Sequence, residues 1–233
     1  MAAWQERTGM LLGAEGLAKL EAARAVVVGV GGVGAAAAEM VVRAGAGHLT
    51  IIDSDTVGET NINRQLLALH STVGMSKVEV LKARLLDINP ALDLEIREEY
   101  LHEDNINIGA PDVVIDAIDT LSPKIALIQY CLKNDIPLVS SMGSGGKRDA
   151  TAVRIADISK TYQCPLAHML RKRLHKLGIH EGFKAVFSSE IPDKSSVVLE
   201  ESRNKKSQVG TISYLPTVFG CVCAQAAIDE ILK

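Results

Sequence analysis

The 233-residue sequence is poor in the residue types on which several classes of function depend. Aromatic side chains make up only 3% of it, with one tryptophan, which argues against nucleic-acid recognition built mainly on base stacking. The four cysteines form no C-x-x-C pair, so neither a zinc ribbon nor a dithiol redox motif is indicated. The formal charge of −3 excludes a generally basic nucleic-acid binder but is compatible with a local basic patch.

Neither a signal peptide nor a membrane span is predicted. The first 25 residues carry six charged side chains, so they lack the apolar core of a signal peptide. Residues 207–228 contain no charge over 22 positions, but one proline, two glycines and two glutamines interrupt them. We interpret this stretch as a buried strand and loop followed by a core helix from about Pro216. Scattered cysteines and the missing signal predict a reduced, cytoplasmic protein.

Residues 25–40, AVVVGVGGVGAAAAEM, hold the pattern G-x-G-x-x-G between a predicted strand and an alanine-rich helix. The glycines Gly29, Gly31 and Gly34 let the backbone approach phosphates, and the helix N-terminus attracts an anion. Asp53 follows Gly34 by 19 residues, at the end of the next predicted strand. An acid there takes ribose hydroxyls, so the pattern predicts a nucleotide without distinguishing NAD from ATP.

Strands and helices alternate along the first 143 residues, which predicts an α/β fold with a Rossmann-like, mostly parallel sheet. Beyond Gly143 we expect an antiparallel and helical elaboration. We predict one domain over 1–233, with the nucleotide-binding part at 1–145 and a substrate- or RNA-binding part with the C-terminal helix at 146–233. The predicted helices cover 7–23, 77–88, 123–135 and 165–179, besides those from Val33 and Pro216. The predicted strands cover 25–30, 49–53, 92–98, 112–119, 136–143 and 151–158, and a polar loop covers 190–208.

Polar residues beyond the ribose-binding acid favour a triphosphate over a dinucleotide. A triphosphate carries about four negative charges and recruits fixed cations and Mg²⁺, and Arg64 and Lys77 can supply the cations. Asp119 follows the strand VVIDA, faces the same crevice and is the candidate metal ligand. Each residue has an alternative when taken singly. The cations can be ordinary surface side chains, and Asp119 can cap the helix before Pro123, a role for which Ser122 competes.

In combination, these motifs resemble the adenylation domain of the ubiquitin-activating-enzyme superfamily, which includes the ThiF, MoeB and HesA proteins. The segments RTGMLLG, VVVGVGGVG, IIDSDTVGETNINRQ, GMSKVEV and DAIDT carry the match, from about Arg7 to Gly143. The resemblance implies that a carboxylate is adenylated by Mg²⁺–ATP in a homodimer. It implies catalytic roles for Arg64, Lys77, Asp119 as the Mg²⁺ ligand, and Arg7 acting in trans on the partner's γ-phosphate. It also implies nucleotide binding by Gly29, Gly31, Gly34, Asp53, Asp55, Asn61 and Gln65.

A narrower resemblance covers nearly the whole second half. The segments DISKTYQCPLA, residues 157–167, and VFSSE, residues 186–190, are similar to those of the tRNA threonylcarbamoyladenosine dehydratases. Members of that family cyclise a threonylcarbamoyl side chain on the adenosine beside the anticodon. The resemblance implies ATP and Mg²⁺ as cofactors and tRNA carrying that modification as the partner.

Positive charge is concentrated in the second half of the chain. Residues 151–206 contain eleven lysines and arginines and six acids, a net charge of +5, which leaves −8 for the rest. This asymmetry fits a polyanion on one face and, equally, a solvated basic helix. The dehydratase resemblance favours RNA, with Lys160, Arg171 and Arg173 as candidate contacts.

Four other functions are considered. A sulfur-carrier adenylyltransferase would act on a Gly-Gly tail, but such activators usually carry two zinc-binding C-x-x-C pairs, which are missing here. A thioester-forming class needs a reactive thiol; Cys164 is the candidate by position, and we interpret it as structural, with Cys221 and Cys223 packed in the apolar terminal segment. A nicotinamide oxidoreductase and a non-catalytic binding module are the others. The sequence does not decide whether a sulfur-relay or cysteine-desulfurase-type partner exists.

Overall fold

The computed structural model describes residues 2–199 and 207–233. The helices are α1 (Glu6–Ala22), α2 (Gly34–Ala44), α3 (Lys77–Ile88), α4 (Leu121–Lys133), α5 (Pro165–His175) and α6 (Tyr214–Ile231). The strands are β1 (Arg24–Val28), β2 (His48–Ile52), β3 (Asp93–Arg97), β4 (Val113–Asp116), β5 (Leu138–Ser141), β6 (Val153–Asp157), β7 (Lys184–Ser188), β8 (Val197–Leu199) and β9 (Ser207–Val209). Within these residues, no helix has both the length and the apolar character needed to cross a bilayer.

Seven strands form one sheet in the order β3-β2-β1-β4-β5-β7-β6. Neighbouring strands in it are parallel except for β6 and β7, which run antiparallel. The prediction of a mostly parallel, Rossmann-like sheet with an antiparallel elaboration is therefore confirmed. The strand order reverses between β1 and β4, and in open α/β sheets ligands bind at the carboxyl ends of strands beside such a reversal.

Helices cover both faces of this sheet, and successive strand residues alternate between two cores. Val27 and Ile115 pack with residues of α2, α3 and α6, whereas Val26 and Val114 pack with residues of α4 and α5. Strands buried on both faces are almost continuously apolar, which is why the sequence shows them as runs of valine and isoleucine.

Helix α6 lies directly against α2, and Gly220 permits the contact. A Cβ atom at Gly220 would collide with the carbonyl oxygen of Val33 and lie 2.6 Å from Ala36 Cβ. The helix begins at Tyr214, slightly before the predicted start at Pro216, because proline is tolerated in the first turn of a helix. The C-terminal helix is thereby packed on the helix that follows the glycine loop 29–34, the predicted nucleotide loop.

Two parts of the second half differ from the prediction. The sequence patterns did not indicate β7, which lies between β5 and β6 in the sheet. The stretch 190–208 is not a loop throughout, because β8 and β9 pair in antiparallel orientation. Residues 200–206 of that predicted loop lie outside the described residues. The division at residue 145 stays a prediction.

Candidate functional site

The nucleotide loop joins β1 to α2 and requires glycine at two of its predicted positions. Gly29 has a φ of +84°, and a Cβ there would lie 3.0 Å from the carbonyl oxygen of Ala117. A Cβ at Gly34 would collide with the carbonyl oxygen of Gly29. Gly31 instead faces the side chain of Gln65, whose Nε2 would be 3.6 Å from a Cβ. The loop therefore borders the polar segment that the sequence predicts for phosphate binding.

Asp53 lies directly after β2 and connects that strand to the nucleotide loop. Its Oδ2 accepts a hydrogen bond from Val30 N at 2.7 Å, and its Oδ1 accepts one from Asp55 N at 2.8 Å. Burial raises the pKa of Asp53 above its ordinary value of 3.8, although Lys77 and the two backbone donors partly oppose the rise. Each carboxylate oxygen has further acceptor capacity, so ribose hydroxyls can bind in addition.

The segment from Asn61 to Gln65 is held by its own side chains. Asn61 Oδ1 accepts from Gly58 N at 3.0 Å, and Arg64 Nη1 donates to Asn63 Oδ1 at 2.8 Å. Asn63 Nδ2 donates to the carbonyl oxygen of Thr211 at 3.0 Å. The segment is thus connected to the chain that leads into α6, a link that the sequence motif did not predict.

Gln65 and Lys77 are the two buried polar side chains of this region that fit a ligand. Gln65 is 8% exposed, and its Oε1 accepts no hydrogen bond from any described part of the chain. Lys77 begins α3, is 6% exposed, and its Nζ lies 2.7 Å from Asp55 Oδ2. That bond uses one of three ammonium donors. A phosphate at this position would meet a fixed positive charge.

Asp119 is exposed in the loop between β4 and α4, at the carboxyl edge of the sheet. The N-cap position of α4 is Thr120, whose side chain makes no capping bond. Neither Asp119 nor Ser122 occupies the N-cap position itself. Since Asp119 follows the strand next to β1, its carboxylate belongs to the same edge as the nucleotide loop.

The chemistry of these groups fits Mg²⁺–ATP. The uncompensated Gln65 Oε1 is a buried acceptor beside the glycine loop, and the Lys77 ammonium is a buried donor. In the part of the chain that the structure describes, no cluster of three or more His, Cys, Asp or Glu is placed to hold a metal ion. Mg²⁺ is usually bound by one or two carboxylates together with phosphates and waters, so a single carboxylate such as that of Asp119 would suffice to hold it.

Arg7 is exposed on α1, two residues after Gln5. Gln5 Nε2 lies against Gly45, the residue that ends α2. Helix α2 spans 11 residues, about 16 Å, between the nucleotide loop and that end. The structure thus does not bring Arg7 together with the predicted ligands of its own chain.

The predicted RNA contacts differ in their surroundings. Lys160 and Arg173 are exposed, whereas Arg171 is half-buried and donates to the hydroxyl of Thr161. Helix α5 presents a different basic surface, which we call the α5 basic face. It is a shallow groove lined by His168, Met169, Lys172, Arg173 and Lys176.

Three of the four cysteines are buried, and only Cys221 is exposed. The prediction that Cys221 packs in the apolar terminal segment is therefore wrong, while Cys223 is buried as predicted. Burial raises the pKa of Cys131 and of Cys223 to about 12, so these thiols stay protonated near neutral pH. Cys164 is 4% exposed, at the N-cap of α5, which agrees with a structural role.

Comparison with known proteins identifies the family. The ThiF family model matches residues 6–233. The chain belongs to the ThiF family. A tRNA threonylcarbamoyladenosine dehydratase of Bacillus subtilis is 42% identical over 97% of this chain and 94% of its own length. The enzyme of that name from Escherichia coli is 42% identical over 99% of this chain and 95% of its own. A crystal structure of the E. coli dehydratase in complex with ATP has a TM-score of 0.89 and 36% identity, covering 99% of this chain and 96% of that one.

Some polar residues of this ThiF-family chain near the site were not predicted. Asp116, Lys124 and Ser140 form a fully buried network under the Asp119 loop. Lys147 is 2% exposed beyond β5, donates to Gly143 O at 3.1 Å, and has a pKa lowered by burial. Nothing local distinguishes these lysines from surface lysines, because their burial results from packing between distant elements.

Proposed function

We propose that this chain is an ATP-dependent tRNA threonylcarbamoyladenosine dehydratase. The observation that carries the proposal is the near-complete overlap with proteins of that name at 42% identity. This overlap extends over the second half of the chain, where residues 157–167 and 186–190 lie. The geometry agrees, since a nucleotide loop, a ribose-binding acid and a buried cation lie on one edge of the sheet.

The first step activates a carboxylate. A carboxylate oxygen of the threonyl group attacks the α-phosphorus of ATP, which forms an acyl-adenylate and releases pyrophosphate. Asp53 orients the ribose, while Lys77 and Arg64 offset negative charge that develops on the phosphates. Mg²⁺, when bound, supplies further charge neutralisation at the phosphates, and Asp119 is the residue that would hold it.

The second step closes a ring. A nitrogen or oxygen of the carbamoyl group attacks the activated carbonyl carbon, AMP leaves with the former carboxylate oxygen, and one proton is released. The net change is the loss of the elements of water from the modified base. Because both reacting groups belong to one side chain, a high effective molarity drives the closure and no protein nucleophile is needed. The high pKa of the Cys131 and Cys223 thiols agrees with such a mechanism.

The proposal includes the assembly and location of the protein. A homodimer would carry Arg7 of one chain to the other chain's ATP, which accords with the position of the nearby Gln5 at the end of α2 farthest from the glycine loop. A tRNA substrate implies a cytoplasmic location. The α5 basic face would contact the RNA backbone, as Arg173 was expected to do. A sulfur-relay or cysteine-desulfurase-type partner has no supporting feature among the described residues.

The deciding experiment compares three substrates in an ATP-dependent pyrophosphate-release assay. We expect release with tRNA that carries threonylcarbamoyladenosine and none with unmodified tRNA, because only the former presents the carboxylate. The third substrate is a small carrier protein with a Gly-Gly tail. If the carrier triggers release and the modified tRNA does not, the protein is a sulfur-carrier adenylyltransferase and the dehydratase proposal fails.

A further inference from the structure

A buried ion pair lies beneath the loop that carries Asp119. Lys124 Nζ is 2.8 Å from Asp116 Oδ2, and both side chains are 0% exposed. A buried ion pair contributes little net stability, because removing both charges from water offsets their attraction. A contribution to fold stability is therefore a weak explanation for the presence of this ion pair.

The pair fixes one peptide group in the loop. Asp116 Oδ1 accepts from Ile118 N at 3.0 Å, and Lys124 Nζ donates to Ile118 O at 2.9 Å. Both backbone polar groups of Ile118 are thus bound by the two charged side chains. Ser140 Oγ donates to Asp116 Oδ2 at 2.6 Å, which orients the carboxylate. Asp119 is the next residue, so its backbone starts from a fixed point.

The same loop supports the nucleotide-binding glycines. Ala117 N donates to Val28 O at 2.8 Å, which continues the sheet beyond β4. A Cβ at Gly29 would lie 3.0 Å from Ala117 O and 3.3 Å from Ile118 N. The glycine loop and the Asp119 loop are therefore packed in contact, and the buried pair restrains both.

We propose that Asp116, Lys124 and Ser140 are positioning residues that hold Asp119 where its carboxylate meets Mg²⁺ on the ATP phosphates. The inference rests on the proposed function in one respect, the assignment of Asp119 as the metal ligand. The network acts through the backbone of Ile118 and does not itself contact nucleotide. Its charges provide rigidity, since each bond to Ile118 is charge-assisted and comes from a fully buried side chain.

The test measures Mg²⁺ affinity without tRNA. ATP is held constant, Mg²⁺ is titrated, and binding is followed by thermal stabilisation of the full chain. Lys124→Met removes the ammonium and keeps an unbranched side chain. We expect apparent Mg²⁺ affinity to fall by about 10- to 100-fold, as when partners of metal ligands are removed. ATP binding in EDTA should change much less.

A matched control is Lys184→Met. Lys184 Nζ is 2.7 Å from Glu230 Oε1, and this ion pair joins β7 to α6 away from the Asp119 loop. Its loss should lower the melting temperature and leave the Mg²⁺ midpoint unchanged. If Lys124→Met does not fold because Asp116 is left charged and unpaired, Ser140→Ala and the double variant Asp116→Asn/Lys124→Met serve instead, since neither leaves an isolated buried charge.

Three outcomes decide the inference. A weakened Mg²⁺ midpoint in the network variants, with the control unchanged, supports it. Folded network variants that only melt earlier, with wild-type Mg²⁺ affinity, overturn it and leave the pair a structural feature. Wild-type Mg²⁺ affinity in Asp119→Asn removes the metal assignment and the inference with it. Failure of the dehydratase function itself would not alter the titration, which contains no RNA.

Discussion

Asp53 Oδ2 accepts a hydrogen bond from the backbone N–H of Val30 at 2.7 Å, which fastens the end of β2 to the nucleotide loop. The carboxylate is desolvated there, and its pKa is raised by burial. An ionised group in such a position disfavours folding relative to a group in water. The molecule thus keeps a charge near the glycine loop at some expense of stability, as binding sites commonly do.

Asp53→Asn should separate stability from nucleotide binding. The amide removes a desolvated charge but can accept only one of the two backbone hydrogen bonds, so we expect a melting temperature near pH 7 close to that of the wild type. ATP should bind about tenfold or more weakly, because a charged hydrogen-bond acceptor contributes about 1.5–3 kcal/mol. Calorimetric titration of ATP and a thermal melt check both. The control is Asp93→Asn, an exposed acid on β3 that bonds His48. Weak ATP binding in that variant as well, or wild-type binding in Asp53→Asn, would contradict the ribose assignment.

The pH dependence of stability provides an independent check on Asp53. Its native pKa lies above the ordinary value of 3.8, so native protein holds the proton over a pH interval in which unfolded chain has released it. The stability that this retained proton contributes is fully present below pH 3.8 and is lost as pH rises through the raised pKa. In urea unfolding at several pH values, the unfolding free energy of Asp53→Asn relative to that of the wild type should therefore increase as pH rises across that interval. An identical pH profile in the two proteins would count against the raised pKa.

Local patterns predicted the positions of the glycines and of Asp53 in the fold, whereas packing between distant elements determined the surroundings of the other residues. Glycine spacing and the acid at the end of β2 are local features with local physical causes, so their positions follow from the sequence. Lys124 opens a helix as a surface lysine would, and only the docking of α4 on β4 and β5 buries it. Arg171 and Arg173 look equivalent in a basic run, but two residues on a helix point in different directions, and the first meets Thr161. Strand β7 was missed because its five residues carry no distinct periodicity.

Gly220→Ala should destabilise the fold although alanine favours helices. The helix-propensity gain is about 1 kcal/mol. The new methyl group would meet the backbone carbonyl of Val33, which cannot move cheaply, and overpacking of this kind costs about 1–3 kcal/mol. We therefore expect urea unfolding to show a lower free energy of unfolding. ATP binding should also weaken, since Val33 precedes α2 at the nucleotide loop. Gln225→Ala, at an exposed site on the same helix, should be near neutral. Stability at or above wild type in Gly220→Ala would contradict the close packing of α6 on α2.

Mixing inactive subunits should test Arg7 in trans. Arg7→Ala and Lys77→Ala chains are each expected to be inactive as homodimers. Random mixing makes half of the dimers heterodimers, each with one intact site, so activity should recover to about a quarter of wild type. The measurement is pyrophosphate release before and after mixing, with subunit exchange followed by mass spectrometry of tagged chains. Verified exchange without recovery would eliminate the trans role.

The α5 basic face should bind tRNA through phosphate contacts. Lys172 and Arg173 are exposed there, so the double variant Lys172→Glu/Arg173→Glu should lose tRNA affinity and retain ATP affinity. Wild-type affinity should fall steeply with salt, and the slope should become shallower by about 0.7–0.9 for each phosphate contact removed. Filter binding across a salt series gives both quantities.

Two further variants make the RNA prediction specific to α5. Arg24→Glu/Lys82→Glu imposes the same change in net charge on β1 and α3, and its tRNA affinity and salt slope should stay close to wild type. Arg171→Met should lower the melting temperature and leave the salt slope close to that of the wild type, because that guanidinium is half-buried and donates to Thr161. If Arg24→Glu/Lys82→Glu weakens tRNA binding as much as Lys172→Glu/Arg173→Glu does, the attraction of tRNA is a general effect of net charge. If Arg171→Met alone removes the salt dependence, the RNA surface lies on the Thr161 side of the helix instead.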